Sequence, residues 1–166
     1  MEGVRPARRL ETVKPRAGAA NGATSQANAG QFPQYLGDRL GWDSMAAPVS
    51  QVYHSLPSAE QNGACIFASN YGEASALVFL GKNDSLPPVI SGHNNFYVWG
   101  PGSCGALLIT VGVGQDQLQP AYRNVTQAAV ITCSYCMTSE DNLPVLLATN
   151  PTVSLQSAWS AAKDFG

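Results

Sequence analysis

Residues 64–80 read ACIFASNYGEASALVFL, and the fold is decided there. Residues 65–68 form a short apolar run bounded by Ser69, Asn70, Tyr71 and Gly72, the pattern of a buried strand ending in a tight turn. From Glu73 the spacing becomes helical, and it stops at Gly81, a natural residue for a helix C-terminus. Strand, turn and helix are the opening of a layered α/β sheet. The turn falls at the strand's carboxyl end, where open α/β sheets keep their binding crevices.

Working outward, residues 89–91 predict a second short strand that ends at Gly92-His93-Asn94-Asn95. Residues 96–99 are aromatic and β-branched, which predicts extended chain. Residues 106–113 carry the strongest strand signal and are expected at the centre of the sheet. A helix over 115–122, weakened by Pro120, then leads to strands at 127–133 and 143–148. Upstream, Trp42, Met45, Val49, Val52, Tyr53 and Leu56 recur at steps of three and four, one face of a helix. Pro48 requires that helix either to kink or to start near Ala47. Residues 58–61 fit a capping box. The expected fold is α/β: a three-layer, mostly parallel, Rossmann- or flavodoxin-like sheet of about five strands, with room for an antiparallel edge. The expected organisation is a disordered arm over 1–30, the α/β domain over 31–150, and a C-terminal tail over 151–166 with weak helical spacing.

Composition narrows the function. Charged residues make up 12% of the chain, low for a soluble protein, and a domain so poor in charge often rests against a partner. The first thirty residues hold five basic and two acidic residues, and the remainder four basic and nine acidic. An acidic body argues against nucleic acid as a partner. The longest near-continuous apolar run, 105–113, is far short of the roughly 20 residues that a membrane span needs. With no apolar leader region at the start, the chain read alone is expected in the cytoplasm.

The polar residues after the first two strands are the candidate binding site. Asn70, Tyr71 and Glu73 sit where a helix begins, so free N–H groups there are expected to face an anion or a sugar hydroxyl. Asn70 is equally a natural N-cap with Glu73 as its capping partner, which requires no ligand. His93, Asn94 and Asn95 follow the second strand and are expected on the same rim, with Trp99 as a stacking face. Gly112-Val113-Gly114 lacks the third glycine and the acidic residue of a dinucleotide loop and reads as a close turn. Cys133 and Cys136 form a C-x-x-C without a following helix and without two further ligands for zinc. They read as plain thiols or as a small disulfide in an oxidising compartment, with Cys65 in the core. No cofactor, metal or catalytic residue is expected.

Six segments resemble, in order, one family: GWDSM (41–45), VYHSLP (52–57), ASNYGEA (68–74), LPPVISGHNNF (86–96), VWG (98–100) and EDNLPV (140–145). Together they are similar to the C-terminal soluble domain of bacterial membrane glycosyltransferases of family 39, the dolichyl-phosphate-mannose-protein mannosyltransferase-like and aminoarabinose transferase-like proteins. The match runs over about residues 32–149. The resemblance implies a parent with many transmembrane helices that moves a sugar from a polyprenyl-phosphate donor to an acceptor outside the cytoplasm. It implies that this domain is extracytoplasmic and that the catalytic acid lies in the membrane part, which has no counterpart here. Relatives usually read MPYENNLP where this chain has Met137-Thr138-Ser139-Glu140-Asp141-Asn142-Leu143-Pro144, and Asn142 joins the candidate binding residues on that ground. The expectation is an accessory domain whose isolated chain does not catalyse. Its expected partner is a membrane-embedded glycosyltransferase subunit, and its expected ligand a sugar or polyprenyl-phosphate sugar. A free-standing sugar or phosphosugar binding module and a purely structural or interaction domain are the alternatives.

Overall fold

The computed structural model describes residues 34–37 and 39–165. The arm expected over 1–30 lies outside them. Five strands form one sheet: β1 (Ala64–Ala68), β2 (Val89–Ser91), β3 (Leu107–Val111), β4 (Tyr122–Ile131) and β5 (Leu143–Pro151). Their spatial order is β2-β1-β3-β5-β4. β1 pairs in parallel with both β2 and β3. β5 runs antiparallel to β3 and to β4. The sheet is therefore mixed, and the expectation of a mostly parallel layer is corrected. The cause is local: residues 132–142 turn β4 straight back into β5, whereas a parallel neighbour would require a longer crossover.

The short helices α1 (Gln34–Gly37) and α3 (Ser58–Gln61) flank the long helix α2 (Asp43–Ser55). α4 (Tyr71–Leu80) follows β1 directly. α2 and α4 cover one face of the sheet, where Met45, Val49, Val52, Ala74 and Leu77 pack on Ile66, Ile109 and Val145. α2 runs through Pro48, so it does not begin near Ala47. α3 forms where it was expected, but its N-cap is Pro57 and makes no side-chain capping bond. The Gln61 side chain instead donates to the Leu56 carbonyl at 2.8 Å.

The opposite face carries Cys65, Leu108, Leu146 and Ala148. It is covered by Leu118 of α6 (Gln115–Leu118), Tyr122 and the C-terminal segment. That segment is α7 (Leu155–Ala158) and a 3-10 turn (Trp159–Ala162). Trp159 fixes it: the indole stacks on Tyr97 at 5.7 Å, meets Phe67 edge-on at 6.4 Å and donates its N–H to the Tyr97 carbonyl at 3.0 Å.

One further expectation is corrected. Residues 96–99 belong to a helix, α5 (Asn94–Trp99), not to extended chain. Its inward face holds Phe96 and Tyr97 against the two core clusters and leaves Val98 and Trp99 outside. Cys65 lies in the core, as expected, and is joined there to Cys104 by a disulfide across 39 residues of sequence. In the chain-entropy account, closing a loop of that length stabilises the fold by roughly 4 kcal/mol.

Candidate functional site

The parallel half of the sheet ends its strands on one rim. Ala68 of β1 pairs with Ser91 of β2 and Val111 of β3, and Val111 faces Val145 near the start of β5. The loops carrying Asn70, His93, Gly112 and Asn142 therefore emerge on the same edge. They are not all neighbours. Three strand steps separate β2 from β5, about 14 Å at the usual spacing.

The inner part of this rim is a closed hydrogen-bonded unit. Asn70 is extended and caps α4, its side-chain oxygen accepting from the Glu73 N–H at 2.9 Å. Glu73, only 2% exposed, accepts from the backbone N–H and the hydroxyl of Ser69 at 3.0 and 2.8 Å. Burial pushes its carboxyl pKa above the ordinary value, and the hydrogen bonds from Ser69 and Asn70 counter that only in part. Gly112 presses on this unit from β3. Its φ is +70°, and an added Cβ would lie 2.8 Å from both the Glu73 Oε1 and the Ser69 Oγ. The Gly-Val-Gly turn thus exists to let the backbone pass a buried carboxyl group.

His93 links the two loops. Its Nδ1 accepts from the Tyr71 N–H at 3.4 Å, its ring meets the Tyr71 ring edge-on at 5.1 Å, and its backbone N–H donates to the Ser91 hydroxyl at 3.1 Å. The C-terminal segment docks beside it. Asp164 donates its N–H to the Gly92 carbonyl and accepts from the Asn94 N–H, both at 2.9 Å. Gly92 permits this approach, since a Cβ there would overlap the Ala162 carbonyl.

The outer part of the rim is open. A cleft of about 730 Å³ lies between the first turns of α4, helix α5 and Phe165. Tyr71, Asn94, Asn95 and Trp99 all line it, and Ser75 contributes a hydroxyl. Tyr71 is 55% exposed and Trp99 70%, the latter held edge-on by Phe96 at 4.7 Å. Asn94 has φ of +51°, a left-handed conformation that asparagine tolerates better than most residues. Of the eight candidate residues, then, four face the cleft, His93 borders it through Tyr71, and Asn70 and Glu73 lie behind it.

Asn142 stands apart. Its φ is +58° and its side chain donates to Asp141 at 2.9 Å, which makes it a turn residue leading into β5. The neighbouring C-x-x-C loop is compact. The Cys133 N–H donates to Asp141 Oδ1 at 2.8 Å, and the Cys136 N–H donates to the Cys133 sulfur at 3.0 Å. Burial, reinforced by the contact with Cys133, pushes the Cys136 thiol up to about 12, which favours the protonated thiol. Ser75, Phe96, Val98 and Phe165 also line the cleft and were not among the candidates read from the sequence. Ser75 sits one helical turn after Tyr71, a spacing that places both on one side of α4. Nothing near Phe165 in sequence signals its position.

No family model, curated protein or solved structure matches this chain. The class that the geometry defines is a mixed α/β domain with an aromatic and carboxamide cleft at the carboxyl ends of its parallel strands. Among the described residues no helix is long and apolar enough to cross a membrane.

Proposed function

We propose that this chain is an accessory domain of a membrane glycosyltransferase that uses a polyprenyl-phosphate sugar donor, and that it holds a saccharide in the cleft between Tyr71 and Trp99. One observation carries the reading. The exposed rings of Tyr71 and Trp99 share a cleft with the carboxamides of Asn94 and Asn95. Aromatic faces stack on the C–H surfaces of a sugar ring while carboxamides bond its hydroxyls. The two loops that build this cleft are also the NYGEA and SGHNNF segments on which the family resemblance rests. The parallel order β2-β1-β3 supports kinship with Rossmann-like sheets, and the β5–β4 pair is the departure from them.

A structural role is favoured for the inner rim. Asn70, Glu73 and Ser69 bond to one another and hold the turn together.

The test is a panel of glycosides titrated against the full chain and against its Trp99→Ala variant, read by calorimetry. Binding by the parent that weakens at least tenfold in the variant is the expected result. Silence across the panel removes the saccharide reading. Turnover of a polyprenyl-phosphate sugar by the purified chain would remove the accessory role.

A further inference from the structure

We infer that the cleft takes a neutral saccharide and discriminates against the phosphorylated form of the same sugar. This rests on the proposed reading of the cleft as a sugar site and assigns the chemical class of its ligand. A sugar phosphate carries close to two negative charges at neutral pH and needs a cation or a set of free N–H donors to replace water around them. Among the described residues that line the cleft there is no cation, and its side-chain N–H donors are those of two carboxamides. Tyr71, Ser75, Asn94, Asn95, Trp99 and Phe165 carry no charge. Lys163 lies over the Phe165 ring at 4.6 Å, but it lines a different cavity beneath the C-terminal segment.

The N-terminus of α4 is the other place where a phosphate would be held. Three of its donors are already engaged within the protein. The Tyr71 N–H goes to His93, the Glu73 N–H to the Asn70 side chain and the Ala74 N–H to the Asn70 carbonyl. The buried Glu73 carboxyl group stands behind that first turn. What remains open is the set that reads hydroxyls and C–H faces: two carboxamides, two hydroxyls and three exposed rings. In a transfer between a phosphate-bearing donor and an uncharged glycan, such a cleft serves the uncharged partner.

The experiment titrates the full chain with methyl glycosides of the common hexoses and with the matching hexose 1-phosphates, followed by calorimetry and by the Trp99 indole N–H resonance. A methyl glycoside that binds at least tenfold more tightly than its 1-phosphate, with an affinity unchanged between low and high salt, is the expected result. Asn95→Arg, which introduces a cation at the cleft wall, is expected to raise affinity for the 1-phosphate at least tenfold. A 1-phosphate that binds the parent chain as tightly as the glycoside overturns the inference and leaves the saccharide site standing. If neither ligand moves the Trp99 resonance, the saccharide reading and this inference fall together.

Discussion

The two halves of one rim use similar residues to opposite ends. In the inner half, Asn70, Ser69 and Glu73 satisfy one another and Gly112 closes over them. In the outer half, Asn95 and Trp99 stand in the open, and among the described residues none hydrogen-bonds to the Asn95 side chain. A polar residue at a strand's carboxyl end is thus no indication of ligand contact in itself. What separates the halves is whether the donors and acceptors are already matched inside the protein, because an engaged group must give up a hydrogen bond before it can bind anything else. Asn94 belongs to both halves, since it lines the cleft and also occupies a left-handed turn.

The largest effect expected from this contrast is at Gly112. Gly112→Ala forces a side chain into positive φ and against Glu73 and Ser69, and is expected to cost about 2–3 kcal/mol of stability in denaturant unfolding. A neutral result would mean that the inner unit does not hold the turn. Asn70→Ala comes next. Loss of the N-cap is expected to cost about 1 kcal/mol. Trp99→Ala, in the open half, is expected to stay within about 0.5 kcal/mol of the parent. Equal losses at Asn70 and Trp99 would erase the distinction.

The smallest effect is one of pH. Burial raises the Glu73 pKa, so the folded chain binds this proton more tightly than the unfolded chain does. The contribution to stability is complete below the ordinary carboxyl range and is lost as the pH rises through the raised value. Glu73→Gln abolishes that titration while keeping a side-chain oxygen to accept from Ser69. Relative to the parent, the variant is expected to gain stability as the pH rises from about 4 to about 8. A difference between the two that does not change with pH would show that the carboxyl group is not desolvated.

The sequence made the parallel half legible and the rest less so, for physical reasons. Residues 64–68, 89–91 and 107–111 are short apolar runs between turn residues, and each is a strand. β4 was harder to see. It lies at the sheet edge with Arg123, Asn124, Thr126 and Gln127 exposed, so its first half shows no alternation and merges with the residues around Pro120. Phe96, Tyr97, Val98 and Trp99 are too few to separate a period of 3.6 from one of 2, and their β-propensity misleads where a helix buries only the first two. The Cys65–Cys104 pairing depends on how β1 and the loop before β3 meet, which spacing alone does not specify. Among the candidate residues, Tyr71, Asn94 and Asn95 could be placed on this rim from the sequence because they follow strand ends, and they line the cleft. Asn142 was drawn in by its motif, and the backbone shows it to be a turn residue. Phe165 reaches the cleft only because Trp159 and Asp164 dock the tail.

The most direct measurement pairs a thermal melt with a methyl glycoside titration for Asn70→Ala and Asn95→Ala. The account expects Asn70→Ala to melt several degrees lower and bind as the parent does. It expects Asn95→Ala to melt as the parent does and bind at least tenfold more weakly. Full binding by Asn95→Ala, with no binding by a folded Asn70→Ala, would contradict it.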